Sequence, residues 1–146
     1  LSNRGGKMIM DEACKVEYID HIGIAVKDID IAMGFFKEVF GVELGEVSDI
    51  SDQGVRATLI AIGQTRLELL QPLHSDTTVG RFIEKRGEGL HHLAFNVANV
   101  DESLSTLDSK GINLLDKSPR EGLSGLIAFI HPKSTYGVLT EIVQSI

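Results

Sequence analysis

The chain repeats itself. Residues 21–26 read HIGIAV and residues 92–97 read HLAFNV. Each stretch begins with histidine, runs apolar and ends at valine. Each leads into a short acidic turn, KDID at 27–30 and ANVD at 98–101. Asp28 and Asn99 are N-cap candidates in those turns, because their side-chain oxygens can accept from the free amides of a helix's first turn. Two copies of one supersecondary unit share a topology, so the repeat constrains the architecture more than any single segment does.

The first copy predicts a helix over 29–40. Ile31, Ala32, Phe35, Phe36, Val39 and Phe40 keep to one face at helical spacing, and Gly41 stops it. The second copy predicts a helix over 100–110 through Val100, Leu104 and Leu107, stopped at Gly111. An apolar strand start is expected after each stop, VEL at 42–44 and INLL at 112–115. The copies also close alike. TRLELLQ at 65–71 and VLTEIVQ at 138–144 align Glu68 with Glu141 and Gln71 with Gln144. His21 precedes Glu68 by 47 residues, and His92 precedes Glu141 by 49. Each copy therefore carries a strand, a helix and about three further strands, with histidine at the start and glutamate in the last strand.

The first module is expected over 17–75 and the second over 88–146, together forming one domain over 17–146. Residues 1–16 lack any period and are expected to be a disordered leader or tag remnant. Cys14, the single cysteine, falls there and is read as a bystander, so neither a disulfide nor a thiolate metal cluster is available. Between the modules, TTVGRFIEKRG at 77–87 reads as a short helix or turn with Phe82 and Ile83 inward. It is taken as a linker whose Arg81, Lys85 and Arg86 make a solvated face.

Apolar residues make up 42% and charged residues 24%, values typical of a globular domain. The net charge of −7 argues against bulk nucleic-acid binding. The apolar stretches are strand-sized, which argues against a membrane span, and no secretory signal core is visible, so a cytoplasmic home is expected.

Glu68 lies among Leu67, Leu69 and Leu70, and Glu141 among Leu139, Ile142 and Val143. A carboxylate in such company must be paired, metal-bound or neutralised. If the modules pack about a pseudo-twofold axis, His21, Glu68, His92 and Glu141 converge. Two imidazoles and two carboxylates suit one borderline divalent ion, such as zinc, cobalt, nickel or manganese. The bland alternative is two hydrogen-bonded His–Glu pairs. His91 also precedes the second strand, but alternation sends neighbouring side chains to opposite faces, and the repeat selects His92. Gln71 and Gln144 fall on the opposite strand face and read as structural, and His74 reads as solvent-exposed.

DHIGIAV, LELLQP, GEGLHHLAF, FIHPK and GVLTEIV together resemble the methylmalonyl-CoA epimerase family of the vicinal oxygen chelate superfamily, over residues 17–146. The resemblance implies an α+β fold of two tandem βαβββ modules forming a curved eight-stranded mixed sheet around a metal site. The family's metal positions fall on His21, Glu68, His92 and Glu141, although the family often has glutamine where Glu68 stands. The implied activity is epimerisation of (2R)/(2S)-methylmalonyl-CoA by α-proton abstraction through a metal-stabilised enolate, with Glu141 as both ligand and base. The implied substrate is an acyl-CoA, for whose phosphates Lys133, Arg120 and the Arg81–Lys85–Arg86 cluster are candidates. Ser118, Gly122, Ser124 and Gly125 make the 117–125 stretch a candidate lid or an ordinary loop. A homodimer is the expected assembly. One departure concerns QGVRA at 53–57: bacterial family members often carry a second glutamate at the position of Ala57.

Two rival expectations share the fold. A glyoxalase-I-type isomerase acting on a glutathione hemithioacetal would use a similar metal set. A non-catalytic ligand-binding or resistance protein would instead lose the metal residues and rely on aromatic stacking, for which 5% aromatic content offers little.

Overall fold

A computed structural model describes residues 13–145. Most of the expected leader therefore lies outside the described residues. The first strand starts earlier than the repeat suggests, at Val16. Cys14 is half-buried against the cluster of Val97, Val100, Leu104 and Ile142, where it packs as a small hydrophobe.

The chain divides into two units, one covering Tyr18–Phe95 and the other joining Asn96–Ile146 to the segment that ends at Glu17. The first unit contains β1 (Val16–Ala25), α1 (Ile29–Phe40), β2 (Val47–Ile50), β3 (Val55–Ile62), β4 (Thr65–Pro72), α2 (Thr78–Arg86) and β5 (Gly89–Val97). Its strand order is β2-β3-β4-β1-β5. β1 and β4 run parallel, whereas β2, β3 and β4 form an antiparallel meander. The second unit holds α3 (Val100–Ser109), β6 (Arg120–Glu121), β7 (Gly125–Ile130) and β8 (Thr140–Ser145), with β6, β7 and β8 antiparallel. By chain order this is βαβββ twice, an α+β arrangement of eight strands, as the repeat implies. β5 opens the second copy in sequence yet belongs mostly to the first unit.

The helix bounds follow from local chemistry. Asp28 Oδ1 accepts from the amides of Asp30 and Ile31 at 3.0 and 3.1 Å. Asn99 Oδ1 accepts from Glu102 N at 2.9 Å. These side chains satisfy amides that a helix start leaves without intrahelical partners. Gly41 ends α1 at φ 69°, a left-handed conformation that costs glycine little. The glutamines read as structural have a specific task. Gln71 Oε1 accepts from Ile29 N at 2.8 Å, and Gln144 Oε1 accepts from Val100 N at 2.9 Å. Each last strand thus holds the first helical amide of its own module.

Two expectations need correction. The segments at 42–44 and 112–115 form no strands: β2 begins at Val47, and the second segment offers only an isolated bridge from Leu114 to Ile130. Their apolar residues serve packing instead. Val42 packs on the Val26–Ile29–Ile60–Leu69 core, and Ile112 and Leu114 pack on the other. The face of α1 is also shifted. Ile29 is buried with Ala32, Met33 and Phe36 against that core, while Ile31, Phe35, Val39 and Phe40 are exposed. α1 carries two apolar stripes, and the Gln71 bond to Ile29 pins the phase that buries the first.

Candidate metal centre

His21 lies on β1, Glu68 on the parallel neighbour β4, and His92 on β5, the strand on the other side of β1. Their reacting atoms meet. His21 Nε2 is 3.1 Å from His92 Nε2 and 3.4 Å from Glu68 Oε1, and His92 Nε2 is 3.2 Å from the same oxygen. The two rings meet edge to face at 5.2 Å. All three residues are buried. Glu68 thus faces both imidazoles, and the simple alternative of separate His–Glu pairs does not describe this unit.

The geometry suits a divalent cation. Bonds of about 2.1 Å to a metal place neighbouring ligand atoms about 3.0–3.4 Å apart in octahedral or tetrahedral sites. The three observed separations match that spacing. The donor types, imidazole nitrogen and carboxylate oxygen, suit zinc, cobalt, nickel or manganese.

The His21 imidazole is held from behind. Asp20 Oδ2 is 2.7 Å from His21 Nδ1, and Arg66 Nη2 donates to the same oxygen at 2.7 Å. An ionised carboxylate only accepts, so the proton of His21 sits on Nδ1 and its Nε2 presents a lone pair. Burial pushes the Asp20 pKa upward, but the hydrogen bonds to His21 and Arg66 and their charges outweigh it and lower it from 3.8 to about 2. Gly23 stands opposite Glu68 in the β1–β4 register, and a Cβ there would collide with the His92 imidazole. Glycine is required at this point to let the ring in. His91 meets His92 too, Nδ1 to Nδ1 at 3.0 Å.

Glu141 belongs to the second unit. It is buried on β8 between Thr140 and Ile142, opposite Phe129 of β7. Lys133 is exposed in a 3-10 turn over Pro132–Thr135, its amide donating to His131 Nδ1 at 3.0 Å. Arg120 Nε is 3.2 Å from Asp116 Oδ1, and its guanidinium lies 5.5 Å from the Phe129 ring centre. Arg81 pairs with Asp76 at 2.9 Å, and Lys85 and Arg86 are exposed at the end of α2. His74 is exposed, as read from the sequence. The loop at 117–125 contains β6, paired with β7. Ala57 is fully buried and faces Leu70 across the β3–β4 ladder.

The sequence reading names neither Asp20 nor Gly23 as a site residue and turns His91 to the opposite strand face. The available signal is positional, since residues 20 and 91 each immediately precede a candidate ligand histidine.

Residues 20–129 match the model of the Glyoxalase/Bleomycin resistance protein/Dioxygenase superfamily, and the chain belongs to that superfamily. Within it, the chain is 34% identical to the mitochondrial methylmalonyl-CoA epimerase of Bos taurus, over 87% of this chain and 74% of that protein. It is similar to a solved methylmalonyl-CoA epimerase in complex with methylmalonyl-CoA and NH4+, with 40% identity and a TM-score of 0.86 over 90% of this chain and 96% of the other. The methylmalonyl-CoA epimerase of Mycobacterium tuberculosis matches at 34% identity and a TM-score of 0.87, covering 92% of this chain and 91% of that one.

Proposed function

We infer that this chain is an isomerase that interconverts the (2R) and (2S) forms of methylmalonyl-CoA by removing and returning the α-proton. The observation that carries the reading is the meeting of His21 Nε2, His92 Nε2 and Glu68 Oε1 at 3.1–3.4 Å, in a chain 34–40% identical to epimerases of that substrate. The α-carbon lies between a thioester carbonyl and a carboxylate, so losing its proton leaves an enolate whose charge needs stabilising. A divalent ion held by these residues would supply Lewis-acid stabilisation of that charge.

His21, Glu68, His92 and Glu141 make up the proposed ligand set. Support for the fourth member is its correspondence with Glu68 in the repeat and its burial on β8. Glu141 is also the proposed base, taking the α-proton on one face of the substrate. Ala57 supplies no carboxylate, so return of the proton to the opposite face falls to Glu141 or to water relayed from it. Lys133 and Arg120 are proposed to meet the phosphates of the CoA moiety.

The same reading takes 17–146 as one domain of two modules, 17–75 and 88–146, that works as a homodimer in the cytoplasm. The exposed stripe of Ile31, Phe35, Val39 and Phe40 supports a self-associating surface. Among the described residues, no helix is long and apolar enough to cross a membrane.

The test starts from each pure stereoisomer and follows the approach to the mixture. Interconversion from both sides is expected. Inactivity on both, with turnover of a glutathione hemithioacetal, contradicts the epimerase reading and favours a glyoxalase-type isomerase.

A further inference from the structure

The two ligand imidazoles of the first unit are backed by different groups at equivalent positions. His21 Nδ1 meets the carboxylate of Asp20 at 2.7 Å, and His92 Nδ1 meets the imidazole of His91 at 3.0 Å. Strand alternation separates neighbouring side chains, but the Nδ1 edge of a histidine ring lies near its own backbone, within reach of the side chain before it. We propose that His91 is the positioning residue of His92: it accepts the Nδ1 proton and so leaves Nε2 of His92 bare for a divalent cation.

Proton placement carries the argument. Two imidazole nitrogens 3.0 Å apart hold one proton between them. If His92 owns it, the second nitrogen of His92 presents a lone pair toward His21 Nε2 and Glu68 Oε1. If His91 owns it, a neutral His92 carries its proton on Nε2, aimed at the same two atoms, and a cation must displace that proton to bind. Asp20 resolves the equivalent choice for His21, because a carboxylate can only accept. His91 resolves it for His92 only as the Nε2–H tautomer.

The His91 ring is itself steadied. It packs edge to face on Phe82 of α2, with centroids 4.9 Å apart and planes at 75°. Phe82 in turn carries the Arg86 guanidinium at 5.8 Å from its ring centre. α2, which reads in the sequence as a linker, thus reaches the ligand set through Phe82, His91 and His92. Outer partners of metal-bound histidines fix tautomer and ring orientation in general, and their loss weakens metal binding.

This inference rests on the metal role proposed for the site, and its test needs no substrate. Cobalt(II) is titrated calorimetrically into wild type, His91→Phe and His91→Asn. The phenylalanine keeps a ring without an acceptor, and the asparagine restores an acceptor oxygen. His91→Phe is expected to bind cobalt(II) about 10–100-fold more weakly, with His91→Asn recovering much of the loss. Affinity within about twofold of wild type for His91→Phe would overturn the proposal. Nitrogen-15 spectra of the zinc-loaded wild type give a second reading independent of any variant's folding. With zinc bound, His91 is expected to carry its proton on Nε2 and to accept the Nδ1 proton of His92, and a proton on His91 Nδ1 overturns the proposal. A wild type that binds cobalt(II) tightly but epimerises nothing removes the epimerase reading alone, whereas one that binds no divalent ion removes both.

Discussion

Asp20 Oδ2 lies 2.7 Å from His21 Nδ1 at a point where Asp20 is almost wholly buried. Arg66 holds the same oxygen, so the carboxylate is fixed between a cation and the ring it orients. Asp20→Asn keeps the shape but can turn a donor toward Nδ1, which disfavours the ligating tautomer. The variant is expected to fold and to bind zinc or cobalt(II) about 10–100-fold more weakly, measured by calorimetry.

The same carboxylate predicts a pH dependence. Its pKa in the folded protein is lowered from 3.8 to about 2, so its ionised form favours the fold. That contribution is present above about pH 4 and is lost as pH falls through about 2. A shift of this size corresponds to roughly 2 kcal/mol. Urea unfolding of metal-free wild type and Asp20→Asn should show their stability difference shrinking by about that amount between pH 5 and pH 2. A difference that stays constant across the range would contradict the assignment.

Much of this was legible in the sequence because it is local or repeated. The helix over 29–40, its Asp28 cap and its Gly41 stop depend on nearby residues, and they occur as read. The repeat also picked out His21, Glu68 and His92, whose pairing has meaning only across strands. What the sequence withheld depends on phase and partners. Phe35 and Phe36 are equally apolar, and the choice of which turns inward rests on a glutamine 42 residues from the helix start. Val42 and Leu114 look like strand residues, but a strand needs a neighbouring ladder, and theirs are lacking or reduced to one bridge. Strand alternation and the repeat together select His92 over His91, and neither registers how close a ring's Nδ1 lies to the backbone.

Gly23→Ala adds one methyl group where the His92 ring lies. The ring or the strand must shift, and a shift of a few tenths of an ångström spoils ligand geometry before it unfolds a sheet. Metal affinity is expected to drop at least about tenfold, comparable to loss of an outer-sphere partner, with far-ultraviolet circular dichroism unchanged. Wild-type affinity in this variant would show that the room around His92 is not tight.

Gln71→Ala and Gln144→Ala each remove the acceptor for one first-turn amide. Each is expected to cost about 1 kcal/mol in urea unfolding. The two bonds lie in different units, so the double variant should lose about 2 kcal/mol. A strongly non-additive result would mean that the two modules do not hold their helices independently.

Glu141→Gln retains size and an oxygen donor but cannot take a proton. Epimerisation is expected to fall by about 10²–10⁴-fold, while metal binding weakens far less. Undiminished turnover would remove Glu141 as the base.

Metal-assisted removal of the α-proton is read most directly by solvent exchange. Methylmalonyl-CoA is incubated with the protein in deuterium oxide and the α-carbon is followed by NMR, with and without chelator. Rapid loss of the α-proton signal is expected, stopped by chelator and restored by added divalent metal. A fully metal-loaded protein that leaves the α-proton in place would contradict it.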